Sequence, residues 1–429
     1  MEIILVSIFV LGYAAIAFEH PLKINKTAPA LLIGALMWAI WALVDHHHID
    51  EISKELNIEL ASIAQILFFL LGAMTIVELI DAHQGFKIIT NRIRTKNARK
   101  LLWIISILTF FLSAVLDNLT TAIVMVSLIR KLVHDKEQRL FFAGMVVVAA
   151  NAGGAWSPIG DVTTTMLWIG GQISSANIMK TLFLPALVCM VVPLVVVGFI
   201  LKGDVKRDTY DYDKAEQEEK VKGSKRMLIL GIGALLFVPA FKTMTHLPPY
   251  MGMLFGLSVL WIVSELIHID KTEEEKKPYT ALHALSKIDV SSVLFFLGIL
   301  LAIASLQGTG VLGELAAWMD QTIGNKDMIA ISIGLLSAVV DNVPIVAATM
   351  KMYPLAEYPL DSKIWEFIAY AAGTGGSCLI IGSAAGVAVM GMEKIDFIWY
   401  LKKISWLALI GYIAGALVYM AIYPVFAVH

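Results

Sequence analysis

The sequence predicts an all-α polytopic membrane protein made of two inverted-topology repeats, with about ten transmembrane helices, two re-entrant hairpins and two discontinuous helices. Three observations predict it. Of 429 residues, 58% are hydrophobic and only 16% charged, against about 45–50% apolar and ~25% charged in soluble domains. The charges gather in short stretches between long apolar runs. Three short motifs also recur in the same order at nearly constant spacing.

The first element is the apolar run 3–18. It has neither a basic leader nor a small-residue cleavage site, so it reads as a span and not a signal peptide. Further apolar segments lie near 27–44, 60–81, 101–129, 140–171, 181–201, 227–241, 247–267, 290–308, 328–350, 364–391 and 398–427. A spanning helix takes about 17–25 residues, and most of these fit. Segment 101–129 does not: Asp117-Asn118 sits in its middle, and Arg99, Lys100, Arg130 and Lys131 flank both ends. That pattern is expected of a hairpin entering and leaving on one face. Segment 328–350, with Asp341-Asn342 and Pro344, reads the same way. Polar backbone at such depth is tolerated only when buried in protein or lining a cavity.

Ten spans and two hairpins place 27 of the 33 Lys+Arg residues in loops 19–26, 82–100, 130–139, 202–226, 269–289 and 392–403. The alternate loops 45–60, 172–180, 242–248, 309–327 and 351–363 hold the other six. The positive-inside rule makes the first set cytoplasmic, with both termini outside, and leaves no base for the membrane interior.

The recurring motifs define two halves. Leu67-Phe68-Phe69-Leu70 returns as Leu294-Phe295-Phe296-Leu297. Ser113 to Asn118 returns as Ser337 to Asn342, and Ala149 to Asp161 returns, less closely, as Ala371 to Ser383. The first half is 1–201, with hairpin 101–129 and broken helix 140–171. The second is 227–429, with hairpin 328–350 and broken helix 364–391. The charged stretch 202–226 is a cytoplasmic linker. Five spans between the hairpins make the second half inverted, a ground plan of secondary transporters.

Each half offers a polar hairpin tip and a glycine-interrupted helix. The first tip is Asp117-Asn118-Leu119-Thr120, followed by a broken helix with Asn151, Gly153, Gly154, Ser157, Pro158, Asp161, Thr163 and Thr164. The second tip is Asp341-Asn342-Val343-Pro344, and its broken helix carries Gly375, Gly376, Ser377 and Ser383. Gly153-Gly154 with Pro158, and Gly375-Gly376, are expected to unwind the helices, and freed carbonyls suit a small cation. Capping is one role for Asp117 and Asp341. A carboxylate at membrane depth costs about 2.5–3.5 kcal/mol, and that cost marks a functional site. Asp161 is the most informative residue, because its counterpart is Ser383 and the repeat is broken in charge there. Burial penalises the ionised form of a carboxyl group. A proton and a hard monovalent cation therefore compete for such a residue, which is an exchange mechanism.

A net charge of −2 gives no basic footprint for nucleic acid. Cys189 and Cys378 fit neither a disulfide framework nor a zinc pattern. Transport, not enzymatic chemistry, is expected, with lipid as the surroundings and no resident cofactor.

The two Asp-Asn tips, the run from Asn151 to Thr164 and the repeat resemble NhaD-type sodium/proton antiporters of the ion-transporter superfamily, over about residues 60–395. The resemblance implies Na⁺ and Li⁺ export against H⁺ entry across a bacterial inner membrane, with dimeric assembly, and serves pH homeostasis and salt tolerance. It carries the polar roles onto Asp117, Asn118, Thr120, Asn151, Asp161, Thr163, Thr164, Asp341, Asn342, Ser377 and Ser383, with Na⁺ at Asp117, Asn118, Asn151 and Asp161. Pro344 stands where the first tip has Thr120, so the two tips differ in cation duty. Dicarboxylate, citrate and arsenite-type carriers of the superfamily are similar in layout. A negative tip favours a cation over a dianion.

Glu78, Asp81 and His83 close the third span, as a solvated helix end or as a proton-entry or pH-sensing group, since a histidine titrates near neutrality. Asp45, His46–His48 and Asp50 read as a polar outer loop, Glu273–Glu275 as solvated charge, and Glu265 and Glu366 as span ends without a role. An intramembrane aspartyl protease using Asp117 and Asp161 is the alternative from another class. It lacks the first glycine of the Gly-x-Gly-Asp setting.

Overall fold

A computed structural model describes residues 2–17, 23–45, 48–90, 93, 95–201, 203–205, 221–339 and 342–426. Asp341 and most of the linker 202–226 lie outside the described residues, as do His46 and His47. Among the described residues every regular element is helical, and the one β-feature is an isolated bridge between Asn97 and Asp204.

The first half contains α1 (Glu2–Ala17), α2 (Thr27–Val44), α3 (Ile49–Ala82), α4 (Ala98–Leu116), α5 (Asn118–Leu132), α6 (Lys136–Ala155), α7 (Val162–Ile169) and α8 (Ser175–Ile200). The second contains α9 (Ser224–Thr245), α10 (Pro249–Ile267), α11 (Val290–Gly308), α12 (Val311–Thr322), α13 (Lys326–Leu336), α14 (Asn342–Met352), α15 (Lys363–Gly375), α16 (Ala384–Glu393) and α17 (Trp406–Phe426). Eight helices among the described residues are long and apolar enough to cross a membrane. They include seven of the ten predicted spans and α4, an arm of the first predicted hairpin. The shortfall has a plain cause: α1 has only 16 residues, while predicted spans 140–171 and 364–391 are each two helices, of which α7, α15 and α16 are short and α6 starts on the polar run Lys136–Arg139.

Several predicted loops are instead partly helical. Residues 49–59 extend α3 to 34 residues, because Ile52 buries against Trp38 and Trp41 and anchors the polar extension. Predicted loop 309–327 contains α12, whose Leu312 and Ala316, one turn apart, are buried. Within 269–289, Thr272 and Glu275 form a capping box that starts a short helical turn.

The centre is built from α6 and α15. Residues Phe141 to Ala155 of α6 and Ile364 to Gly375 of α15 are all buried, as befits helices with no polar face. α4 lies along α6, and α13 lies along α15 in the equivalent way. Close backbone approach requires glycine at both contacts: a Cβ at Gly153 would collide with the Phe110 carbonyl, and one at Gly375 with the Gly334 carbonyl. Ser113 donates to the Ala150 carbonyl (2.5 Å), and its counterpart Ser337 donates to that of Ala372 (3.1 Å). The hairpin arms then cross over. α5 packs on α16 of the other half, and α14 packs on α7. Apolar side chains such as Leu11, Leu43, Phe199, Ile262 and Leu417 stay exposed on the outer helices, a surface that suits lipid.

Candidate cation site

α6 ends at Ala155, and the chain unwinds through Trp156–Asp161 before α7 begins. The glycine pairs therefore do not themselves unwind the helices, contrary to expectation. Gly153 and Gly154 lie in the last turn of α6 and Gly375 in that of α15, where they permit backbone contact; only Gly376 belongs to a break. Pro158 sits inside the first break, since it has no N–H to continue the ladder.

Asp161 caps α7. Its Oδ1 accepts from the backbone N–H and the hydroxyl of Thr163, both at 2.9 Å. Its Oδ2 accepts from Asn118 Nδ2 at 2.5 Å, and Asn342 Nδ2 lies 3.4–3.5 Å from the two oxygens. Asn118 Nδ2 also donates to Asn151 Oδ1 (3.1 Å), whose own Nδ2 donates to Ser377 Oγ (3.0 Å) and Ser383 Oγ (2.9 Å). No residue in this network is more than 5% exposed. Ser383 caps α16 through the Gly386 N–H, as Asp161 caps α7. The charge asymmetry read from the repeat thus sits at equivalent helix starts, and residues far apart in sequence converge on one carboxylate.

Asp117 stands slightly apart. It forms the tip between α4 and α5 with φ +79°, a backbone region that strains any residue with a side chain. Both its oxygens accept from Thr120, through the backbone N–H and the hydroxyl at 2.8 Å. Asp117 and Asp161 nonetheless line one cavity of about 20 Å³, closed by apolar groups including Leu70, Ala73 and Val115. That is room for one water-sized species, since a water needs at least ~10–15 Å³. Ser157 donates to the Ala114 carbonyl and Thr164 to that of Asp161, so these two pin the break. The second tip's Asp341 lies outside the described residues.

His83 is not at a solvated end: it is fully buried. Its Nδ1 donates to the Leu79 carbonyl (2.8 Å), and its Nε2 is 3.2 Å from Nε2 of His268, on whose ring Tyr279 stacks at 4.3 Å. Burial holds both imidazoles below their ordinary value, His268 at about 4. Glu366, in the first turn of α15 as expected of a span end, is also buried. It accepts from Asn177 and from the Tyr419 hydroxyl (2.9 Å). Neither contact is visible from sequence, because its partners lie on other helices.

A family described as citrate transporter matches residues 13–360. Sodium/proton antiporter 1 of Arabidopsis thaliana is 50% identical over 98% of this chain and 73% of its own length. Sodium/proton antiporter 2 of the same plant is 47% identical over 97% of this chain and 98% of its own. The Na(+)/H(+) antiporter NhaD of Vibrio cholerae is 32% identical over 96% of this chain and 90% of its own. Together with the helical architecture, this makes the chain a multi-pass membrane transporter that belongs to the NhaD-type sodium/proton antiporters of the ion-transporter superfamily.

Proposed function

We propose that this protein exchanges Na⁺, and Li⁺, for H⁺ across a bacterial inner membrane by alternating access, with cation and proton competing for Asp161. The observation that carries the reading is the network on Asp161. One buried carboxylate collects two asparagine amides and a threonine hydroxyl, with Asn151, Ser377 and Ser383 behind them. The amide protons now facing Asp161 stabilise its charge. Turning the Asn118 and Asn342 amides would present their oxygens with the carboxylate, a hard-oxygen set for a monovalent cation. Protonating Asp161 removes the charge that holds the ion. The ~20 Å³ cavity beside Asp117 and Asp161 supports a bare ion and is far too small for a dicarboxylate.

In this reading, 1–201 and 227–429 are the repeat halves, 202–226 is the cytoplasmic linker, both termini lie outside, and the protein works as a homodimer. The recurrence of glycine and serine contacts at Gly153/Gly375 and Ser113/Ser337 supports the two halves. Proton flux in proteoliposomes, driven in turn by Na⁺, Li⁺, K⁺ and a dicarboxylate, tests the function. Na⁺ and Li⁺ should move protons, and Asp161→Asn should reduce flux to the protein-free level. Dicarboxylate-driven flux, or normal flux in the variant, would reject the reading.

A further inference from the structure

A second, larger cavity of about 450 Å³ is lined by α3, α7, α11 and α14, room for about 15 waters at ~30 Å³ each. Its position follows from the helices that frame it. α7 starts at Asp161 and α14 at Asn342, and both run from the site toward this cavity, reaching it at Met166 and Ala347. Five residues of helix are about 7.5 Å, so its floor is a turn and a half from the carboxylate. The remaining walls carry neutral oxygens from Ser62, Gln65 and Gln307, and Gln307 Oε1 is buried without a hydrogen-bond partner. Rotating the Gln307 side chain would present that carbonyl oxygen to the cavity, as a ligand for a partly dehydrated cation.

One ion pair crosses this cavity. Lys351 Nζ on α14 lies 2.5 Å from Glu59 Oε1 on α3. The two helices otherwise barely touch. The pair therefore ties a helix that carries Asn342 to one that carries no residue of the network. It lies far from the linker: the other end of α3, at Ala82, is about 35 Å away along the axis, near Leu228 at the start of α9. Lys351 alone would repel a cation here, and Glu59 neutralises it.

We propose that the 450 Å³ cavity is the cation's passage to the face opposite the linker, and that Glu59–Lys351 is the latch across it. The inference rests on the transport reading above. Wild-type Na⁺-driven flux is therefore measured first, and its absence rejects that reading separately. In wild-type background, where both native cysteines are buried, Ser62→Cys should react with a membrane-impermeant thiol reagent added to the face opposite the linker, and the adduct should block flux. Glu59→Lys should raise the Na⁺ KM at least tenfold with a smaller change in kcat. Glu59→Lys combined with Lys351→Glu should return KM to within about threefold of wild type. The Cys variant keeps the pair intact, so labelling remains informative if a charge variant fails to fold. Labelling only from the linker face, labelling from neither face, or a double variant no better than Glu59→Lys would each overturn the proposal.

Discussion

At the scale of single residues, the proposed site is a problem of hydrogen-bond accounting. Asn151 is the hinge of the network: its oxygen accepts from Asn118 while its nitrogen donates to Ser377 and Ser383. Asn151→Ala leaves the Asn118 amide one acceptor short and two serines without a donor. Each of these three neutral bonds is worth about 0.5–1.5 kcal/mol, so the Na⁺ KM should rise at least tenfold, read from flux against Na⁺ concentration. Asp117→Asn should act differently. Its carboxylate holds the Thr120 N–H and hydroxyl around a strained tip, and an amide has only one oxygen to offer them. The thermal midpoint should fall together with transport. The polar members of this network were legible in the sequence, because polar residues in apolar runs are conspicuous. Their pairing was not, since asparagines do not announce which carboxylate they face.

At the scale of elements, breaks and contacts between helices matter more than helix content. Gly375→Ala would force α15 away from the Gly334 carbonyl. Overpacking of this kind costs about 1–3 kcal/mol, and thermal melts in detergent should register it. The contact between α3 and α10 carries a pH dependence with a definite sign. His83 and His268 are held below 6.5, the latter at about 4. The opened form therefore takes up protons first, and the contact is strongest above pH 6.5 and weakens as pH falls from there toward 4. Hydrogen exchange in the last turn of α10, corrected for intrinsic rate, should accelerate at pH 5 relative to pH 7.5. His268→Gln should flatten that difference. Apolar periodicity and length located these helices. It missed the outer extension of α3 and all of α12, because polar helices anchored by a few buried residues look like loops in composition.

At the scale of the whole molecule, the halves are joined by ionic as well as apolar contacts. Glu393 at the end of α16 is clamped by Arg130 of α5 (2.6 Å) and by Arg139 of α6 (2.7 Å). Glu393→Gln would leave two guanidinium groups without their counter-charge. It should lower stability by about 1.5–3 kcal/mol, the worth of hydrogen bonds to a charged group, measured as loss of the monodisperse form on heating. The repeat was legible from three motifs; this clamp and the Glu59–Lys351 pair were not, for both join residues more than 250 positions apart.

The crossing of the hairpin arms also bears on how the chain is made. α5 leaves the ribosome early, yet its partner α16 follows some 250 residues later. Until then α5 lacks that partner, and early segments must wait in lipid with polar groups imperfectly matched. Contacts of such long range are slow to form and expose intermediates to error. Biogenesis should therefore be post-insertional, with both halves threaded before either one sets, and a chain released before residue 384 should be a substrate for quality control and not half a transporter.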